Sequence, residues 1–482
     1  MKQYNIGEQK FDICGRGRLA MKGLKCLDIR GQLDGMLTTD MFTSKQLQSM
    51  FWTLLLDQFF IRFINVLSSA MVASTGEAAM AAVSMVGTVN GLVSLTFFSL
   101  ATGGSIVIAR AKGSGDAHRV RCAIGETTGV CAALALVLGA ALYAVAPLLV
   151  GALYPNVEPL LHDYAVHYMR LISLSFFPYS IFNAIFSAFR SLGDTKSSLL
   201  LTVVINGLHL GFCLLFINVM QLGVTGAGLS YILARVVGVL VALVWILKVN
   251  NPFGVRVKHF FRFSKRVTKQ IVSLGIPIVM ESLLLQGGML LVQVYLAQLS
   301  TMEIAAHAVI NSLISIYYIP GDTLGSLAGT VCGQCIGAER FDDARRYCLN
   351  FIRIGRAILL ITILLLLPLS NPMMDMFSAS AAARPIILRC CILSAVCLPI
   401  LWSDSYIVPM NLRAAGDATF TSIVSVSALL ICRCILGYVL TITCGLGVPG
   451  VWISLMVEWL GRAIVLRLRL RGDKWERCKG KS

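Results

Sequence analysis

The sequence predicts an all-α integral membrane protein, with twelve transmembrane helices in two six-helix repeats related by a pseudo-two-fold along the membrane normal. Three observations carry this. The 482 residues have a mean hydropathy of +0.78, and 57% are hydrophobic against 13% charged, about half the charged share of a soluble domain. Apolar runs recur along the chain, as at 132–151 and around 358–369, and many reach the roughly 20 residues that cross a bilayer. They are apolar all round, unlike the alternating strands of a membrane β-barrel. Finally, landmarks return at a fixed offset. RSLGDTK at 190–196 is matched by RAAGDAT at 413–419, and 413 − 190 = 223. LGVTG at 222–226 returns as LGVPG at 446–450, Ala81-Ala82 as Ala305-Ala306, and Gly113 as Gly337, each 224 residues on.

The elements follow in chain order. Residues 1–46 are basic at Lys2, Lys10, Arg16, Arg18, Lys22, Lys25, Arg30 and Lys45. No apolar stretch follows a short basic start, so a cytoplasmic tail is expected and a cleavable signal peptide is not. Six spans are expected near 50–73, 79–109, 122–150, 164–189, 197–219 and 223–249, giving an amino-terminal bundle over 47–249. A basic cytoplasmic linker, 250–269, carries Arg256, Lys258, Arg262, Lys265, Arg266 and Lys269. Six more spans lie near 270–299, 303–336, 347–377, 385–412, 418–444 and 446–468, forming a bundle over 270–468, with a cytoplasmic tail at 469–482.

The net charge of +17 would point to nucleic acid in a soluble protein. Here the basic residues gather in alternate connections, and the positive-inside rule accounts for them without nucleic acid. One set of connections holds Arg110, Lys112, Arg119 and Arg121, then Arg190 and Lys196, the linker, Arg340, Arg345 and Arg346, and Arg413. The other holds Glu77, Glu158, Asp163, Glu303, Asp375 and Arg384. Both termini are therefore expected in the cytoplasm of a plasma-membrane protein, which requires an even number of spans. Each half has six, so the halves share one orientation, the parallel-repeat arrangement that places a transporter's substrate site between repeats. The 15 Cys are mostly inside apolar segments, where free Cys behaves as a small hydrophobe. Cys332 and Cys335 have CxxC spacing, but no second pair accompanies them, and two ordinary thiols are expected.

The repeated turn has a direct physical reading. Arg190 and Arg413 end a span and can face helix C-terminal carbonyls, Gly193 and Gly416 permit positive φ, and Asp194 and Asp417 can cap the next helix. A structural hairpin on the cytoplasmic side is expected.

The stretches GEAAMAAVSMV (76–86), RSLGDTK, SLGIPIVMES (273–282), EIAAHAVINSL (303–313), GQCIGAERFDDA (333–344) and GLGVPGVWISL (445–455) resemble, in order and spacing, the multidrug and toxic compound extrusion (MATE) transporters. The resemblance covers about residues 47–470. It implies two helix bundles around a cavity open to one side at a time, and export of organic cations or other amphiphilic compounds by antiport with Na⁺ or H⁺, with no other cofactor and no resident metal. A monomer acting on a small-molecule substrate in the lipid bilayer is expected. The sequence departs from the family's pattern where Ser68 replaces a first-helix Asp, Thr53 a Pro, Leu210 an acid or amide four residues after Asn206, and Leu285 a seventh-helix Glu.

A carboxylate at mid-membrane costs at least about 2.5–3.5 kcal/mol and marks a functional candidate. Those candidates are Glu281, Asp57, Asp404 and Asp322, with Glu458 expected to pair with Arg462 one turn on. Glu281 follows Pro277 and shares a helix face with Leu285; Asp57 occupies the equivalent place in the first half. Asp57, Asn65 and Ser68 lie near one helix face, since eleven residues make about three turns. Trp402 and Tyr406 flank Asp404 and suit a lipophilic cation. With Asn65, Ser68, Asn206 and Gln286 they are the candidate cavity residues. Asp322 follows Pro320-Gly321, where freed backbone groups need partners. His209 and His307 are expected to be structural. A flippase for a lipid-linked precursor would favour a strongly basic cavity, and Arg62 and Arg235 are the only clear intramembrane bases in the sequence. A membrane enzyme is disfavoured, as HExxH and GxSxG are absent from the sequence.

The loop charges make the orientation testable. A single Cys placed at Asn156, in a background without other reactive thiols, is expected to react with an impermeant thiol reagent added outside intact cells. One placed at Arg262 is expected to stay unlabelled until the membrane is permeabilised, and the opposite pattern would invert the topology.

Overall fold

A computed structural model describes residues 34–73, 77–155, 158–260, 263–377 and 379–476. Most of the expected amino-terminal tail, the loop position Asn156 and the last residues of the chain lie outside the described residues. No strand occurs among the described residues. The helices are α1 Ser44–Ala73, α2 Glu77–Gly113, α3 Ala117–Leu153, α4 Pro159–Ser191, α5 Thr195–Val219 and α6 Gly223–Val249. The second half follows with α7 Lys265–Leu296, α8 Thr301–Tyr317 plus Ile319–Gly337, α9 Phe341–Met376, α10 Arg384–Ala414, α11 Ala418–Thr443 and α12 Val448–Arg471. All twelve expected spans are present. Nine are long and apolar enough to cross a membrane, and the α8 pair, bent by 48°, makes a tenth. The other two are α1 and α12. With 30 and 24 residues, they reach about 45 and 36 Å, more than the hydrocarbon thickness.

Local chemistry explains the breaks. Pro320 lies at the start of the second part of α8, where it supplies no amide donor to the turn before it. Pro399 lies in the π-helical stretch Leu398–Trp402 of α10, and α11 winds as π-helix over Leu429–Leu436 and Val439–Thr443. A capping box of Ser300 and Glu303 forms at the start of α8, where Glu303 N–H donates to Ser300 Oγ.

The basic linker is held down. Gly125 of α3 lies so close to the linker that a Cβ there would come 2.0 Å from the His259 carbonyl oxygen. Arg121 donates to the Phe253 carbonyl at 3.0 Å, and Glu126 accepts from Ser264 N and Thr268 Oγ1. The helical part begins at Lys265, inside the expected 250–269 linker, because this acceptor anchors the first turn of α7. At the other end, α12 runs to Arg471, past the expected boundary at 469, and Trp475 is buried with its indole N–H on the Leu470 carbonyl. Arg345 of α9 lies over its ring and also pairs with Glu476. This part of the carboxy-terminal tail is packed because an aromatic ring and a cation meet there.

The two halves meet through α2, α7 and α8, at the end carrying the basic loops. A Cβ on Gly113 would lie 1.9 Å from the Gln334 carbonyl oxygen, and a Cβ on Gly337 would lie 2.1 Å from that of Arg110. Since 337 − 113 = 224 and 334 − 110 = 224, the two contacts are mirror copies. Ala109 Cβ meets Gly333, its own equivalent 224 residues on, so the pseudo-two-fold axis passes between them. This reciprocity is the signature of an isologous contact. Further along, Gly103 abuts Gly275, and the hydroxyls of Ser99 and Ser282 meet at 2.8 Å.

Side chains at these glycines would force the halves apart. Gly103→Ala would put a methyl 2.6 Å from the Gly275 Cα and is expected to cost roughly 1–3 kcal/mol, read as a lower melting temperature of the purified protein. Gly207→Ala, with nothing within 4 Å of the new methyl, is the control expected to leave the melt unchanged or raise it.

Candidate functional site

Each half holds a carboxylate in its first helix and an arginine from its Gly-Asp turn, and the structure brings these together. In the second half Arg413 reaches inward from the end of α10, and its Nη2 donates to both oxygens of Glu281, at 2.7 and 2.6 Å. Ser422 donates to the same carboxylate at 2.8 Å, while Arg413 Nε donates to Thr421. Both charged side chains are buried. The turn arginine was expected on helix-end carbonyls; here its guanidinium takes the carboxylate instead, a charge-assisted bond about twice as strong as a neutral one.

The equivalent pair in the first half is open. Asp57 is 0% exposed, its charge interacts with that of Arg190, and its carboxylate has the Thr202 side chain beside it but no cation at ion-pair distance among the described residues. Arg190 lies over the Phe186 ring and leaves one terminal nitrogen buried without a partner. Aspartate is one methylene shorter than glutamate, which fits a clamp closing at Glu281 and not at Asp57.

The two turns keep the same backbone and use their aspartates differently. Gly193 has φ 77° and Gly416 φ 96°, as the turn requires. Asp194 caps α5 by accepting from Ser197 N and also accepts from Asn250. Asp417 makes no cap; it accepts from Arg469 of α12 at 2.7 Å. Arg190 and Arg413 together line a small cavity of about 140 Å³ between the halves.

The other three intramembrane acids singled out from the sequence are each paired with arginine. Asp322 at the bend of α8 faces Arg62 of α1 at 3.6 Å, an ion pair joining the two halves. Asp404 is held by Arg356 at 2.5 Å and Arg467 at 3.3 Å. Glu458 pairs with Arg462, as expected, and also with Arg433 at 2.6 Å. Arg62 and Arg235 are therefore not the only bases within the spans. Arg433 was legible as a lone cation in the apolar run LLICRCIL, and Arg356 as one in IGRAILL; their partners, more than 20 residues away, were not.

Trp402 was expected to wall a cavity. It is instead enclosed, stacked on Tyr406 at 4.3 Å and on Tyr318 at 6.0 Å, with the Gly321 backbone against it. Gln286 is exposed on α7, and the Asn65 side chain lies outside the described residues. His307 lies beside Trp452.

A cavity of about 470 Å³ lies inside the first half. Asn206 lines it and also donates to the Thr202 carbonyl; His209, on the wall, sits 3.4 Å from Ser68 and against the Tyr231 ring. Asn206 thus shares the cavity wall with Arg190, Arg235, Tyr179 and Tyr231, while Ser68 meets that wall through its contact with His209. Among the described residues, no group of three or more His, Cys, Asp and Glu side chains is arranged to hold a metal ion.

Comparison with known proteins completes the picture. The MatE family profile matches twice, over residues 54–215 and 277–439, and the two matches are offset by 223 and 224 residues, like the sequence landmarks. An uncharacterized transporter of Bacillus subtilis, YisQ, is 24% identical over 435 residues, 89% of this chain and 94% of the relative. A probable multidrug resistance protein NorM of Thermotoga maritima is 24% identical, over 83% of this chain and 86% of the relative. A multidrug resistance MATE transporter of the MOP superfamily, solved in an outward-facing conformation, superposes with a TM-score of 0.80 at 19% identity, over 88% of this chain and 95% of that one. A MOP superfamily transporter from Pyrococcus furiosus, described as having a binding pocket of reverse polarity that suggests a different function, superposes at 0.81 with 18% identity, over 90% and 96%.

The Glu281–Arg413 clamp has a measurable energy. Removing one partner of a buried pair typically costs about 3–5 kcal/mol, so Glu281→Ala is expected to lower the melting temperature sharply. Replacing both, as in Glu281→Leu with Arg413→Met, is expected to recover most of that loss, which a double-mutant cycle of thermal melts measures.

Proposed function

The chain belongs to the MatE family, whose members are multi-pass membrane transporters and not enzymes, and on that premise we propose that it is a secondary active exporter of amphiphilic small molecules, working by alternating access in antiport with Na⁺ or H⁺. The observation that carries this reading is the inter-half contact. The halves touch, backbone to backbone, at the basic-loop end, while a cavity of about 470 Å³ sits in the first half. Two rigid bundles closed at one end are one of the two states that alternating access requires. We take the plasma membrane as the location, the basic-loop end and both termini as cytoplasmic, and a monomer as the working unit.

For the coupling ion, Asp57 is the carboxylate we favour. Glu281, Asp404 and Glu458 each have at least one arginine at hydrogen-bonding or ion-pair distance, and Asp322 has Arg62. Asp57 alone among these five is buried without an arginine at ion-pair distance, with only the Thr202 side chain and the more distant charge of Arg190 to answer it. An ion taking that carboxylate competes with the charge of Arg190, and coupling follows if it binds the two access states with different affinities. A flippase for a lipid-linked precursor is a second reading, favoured by the arginines on the cavity wall.

The test is transport into or out of proteoliposomes under an imposed Na⁺ or H⁺ gradient, followed with a fluorescent substrate. Asp57→Asn is expected to insert and melt like the wild type but to lose gradient-driven movement by about tenfold or more, the size of a coupling free energy of roughly 1.4 kcal/mol. Wild-type rates with unchanged ion dependence in that variant would move the coupling role to Asp322 or Asp404.

A further inference from the structure

We propose that the cavity in the amino-terminal half binds an anionic aromatic amphiphile, with Arg235 holding its carboxylate, sulfonate or phosphate group and Tyr179, Tyr231 and Phe186 packing on its apolar body. The inference rests on the transport reading and narrows its substrate class. Arg413, Arg433, Arg462, Arg356, Arg467 and Arg62 each face a carboxylate within ion-pair distance. Arg235, 6% exposed, faces none among the described residues. Its Nη1 donates to Ser175 Oγ at 2.6 Å, and its guanidinium lies 4.0 Å from the Tyr179 ring centroid and 4.9 Å from that of Tyr231. A guanidinium has five donors in a planar fork, and one bond to a hydroxyl with two ring faces leaves most of its charge uncompensated.

The cavity wall repeats the same polarity. Arg190 and Arg235 both line it, and no carboxylate does. Asp57 stands beside Arg190 but off the wall. An organic cation entering here meets the unanswered charge of Arg235, with Arg190 countered only by Asp57 off the wall, and an anion meets a fork matched to its geometry. The aromatic lining and the volume of about 470 Å³ suit a drug-sized body, for which sites of roughly 300–1,000 Å³ are usual. Asn183 and Asn206 supply further polar contacts on the same wall.

The experiment is calorimetric titration of the purified full chain in neutral detergent, corrected for empty micelles, with two probes sharing one ring system: naphthalene-2-sulfonate and 2-naphthyltrimethylammonium. The sulfonate is expected to bind at least about tenfold more tightly than the ammonium. Arg235→Gln is expected to erase that preference, and Arg235→Lys, which keeps the charge, to retain part of it. Equal binding of the two probes by the wild type, or an unchanged preference in Arg235→Gln, would overturn the proposal. Should Arg235→Gln not fold, the wild-type comparison and Arg235→Lys still decide it. Competition with a short-chain phosphatidate separates the sources of the anion: displacement of the sulfonate assigns the site to a lipid headgroup, and no displacement assigns it to a soluble solute. Binding is read without any gradient. A chain that binds the sulfonate yet moves nothing under a gradient therefore counts against the transport reading alone.

Discussion

The arrangement rests on how closely two helices can approach when one side chain is a hydrogen atom. At Gly113 and Gly337 the backbones of α2 and α8 come near enough that no Cβ fits, and the reciprocal contact fixes the symmetry axis through Ala109 and Gly333. Everything that joins the halves at that end follows from this approach. Arg110 Nε donates to the Ala414 carbonyl at 2.6 Å, Gln334 to that of Ser191 at 2.8 Å, and Thr330 to that of Arg190 at 3.1 Å. Backbone acceptors at helix ends lack partners of their own, so each half satisfies the other's.

The second organising force is the cost of burying charge. A membrane protein with this many intramembrane arginines must give each one a partner or a use. The carboxy-terminal half does the former: Glu281, Asp404 and Glu458 absorb five arginines between them. The amino-terminal half leaves Asp57, Arg190 and Arg235 incompletely matched around a cavity. Duplicated architecture thus carries unequal chemistry. One half is electrostatically closed and suited to support, and the other is open and suited to exchange ions and ligands with its surroundings.

The twelve spans, the two-fold repeat and the end to which the basic residues gather were legible in the sequence, because hydropathy and loop charge are local properties. So was the Gly-Asp turn, whose glycines adopt the positive φ read from their identity. The identity of ion pairs was not. Glu281 was legible as a buried acid, yet its partner Arg413 lies 132 residues away and looked like an ordinary helix-end cation. Trp402 next to Asp404 suggested a cavity wall, but the close Gly321 backbone turns that ring into packing. Sequence spacing locates a face of one helix; which neighbouring helix meets that face depends on tertiary geometry, and site chemistry is decided there.

The glycine-lined seam has a mechanical consequence. Where side chains interlock, separating two surfaces requires each to leave its hole, and the motion is gated by rotamer changes. A seam of backbone against backbone offers little to unhook. Its adhesion comes from dispersion and a few carbonyl bonds that water can replace one at a time, so it can peel from one edge and reseal in the same register, as a door seal does. The halves can therefore be held firmly and still part without rearranging their interiors.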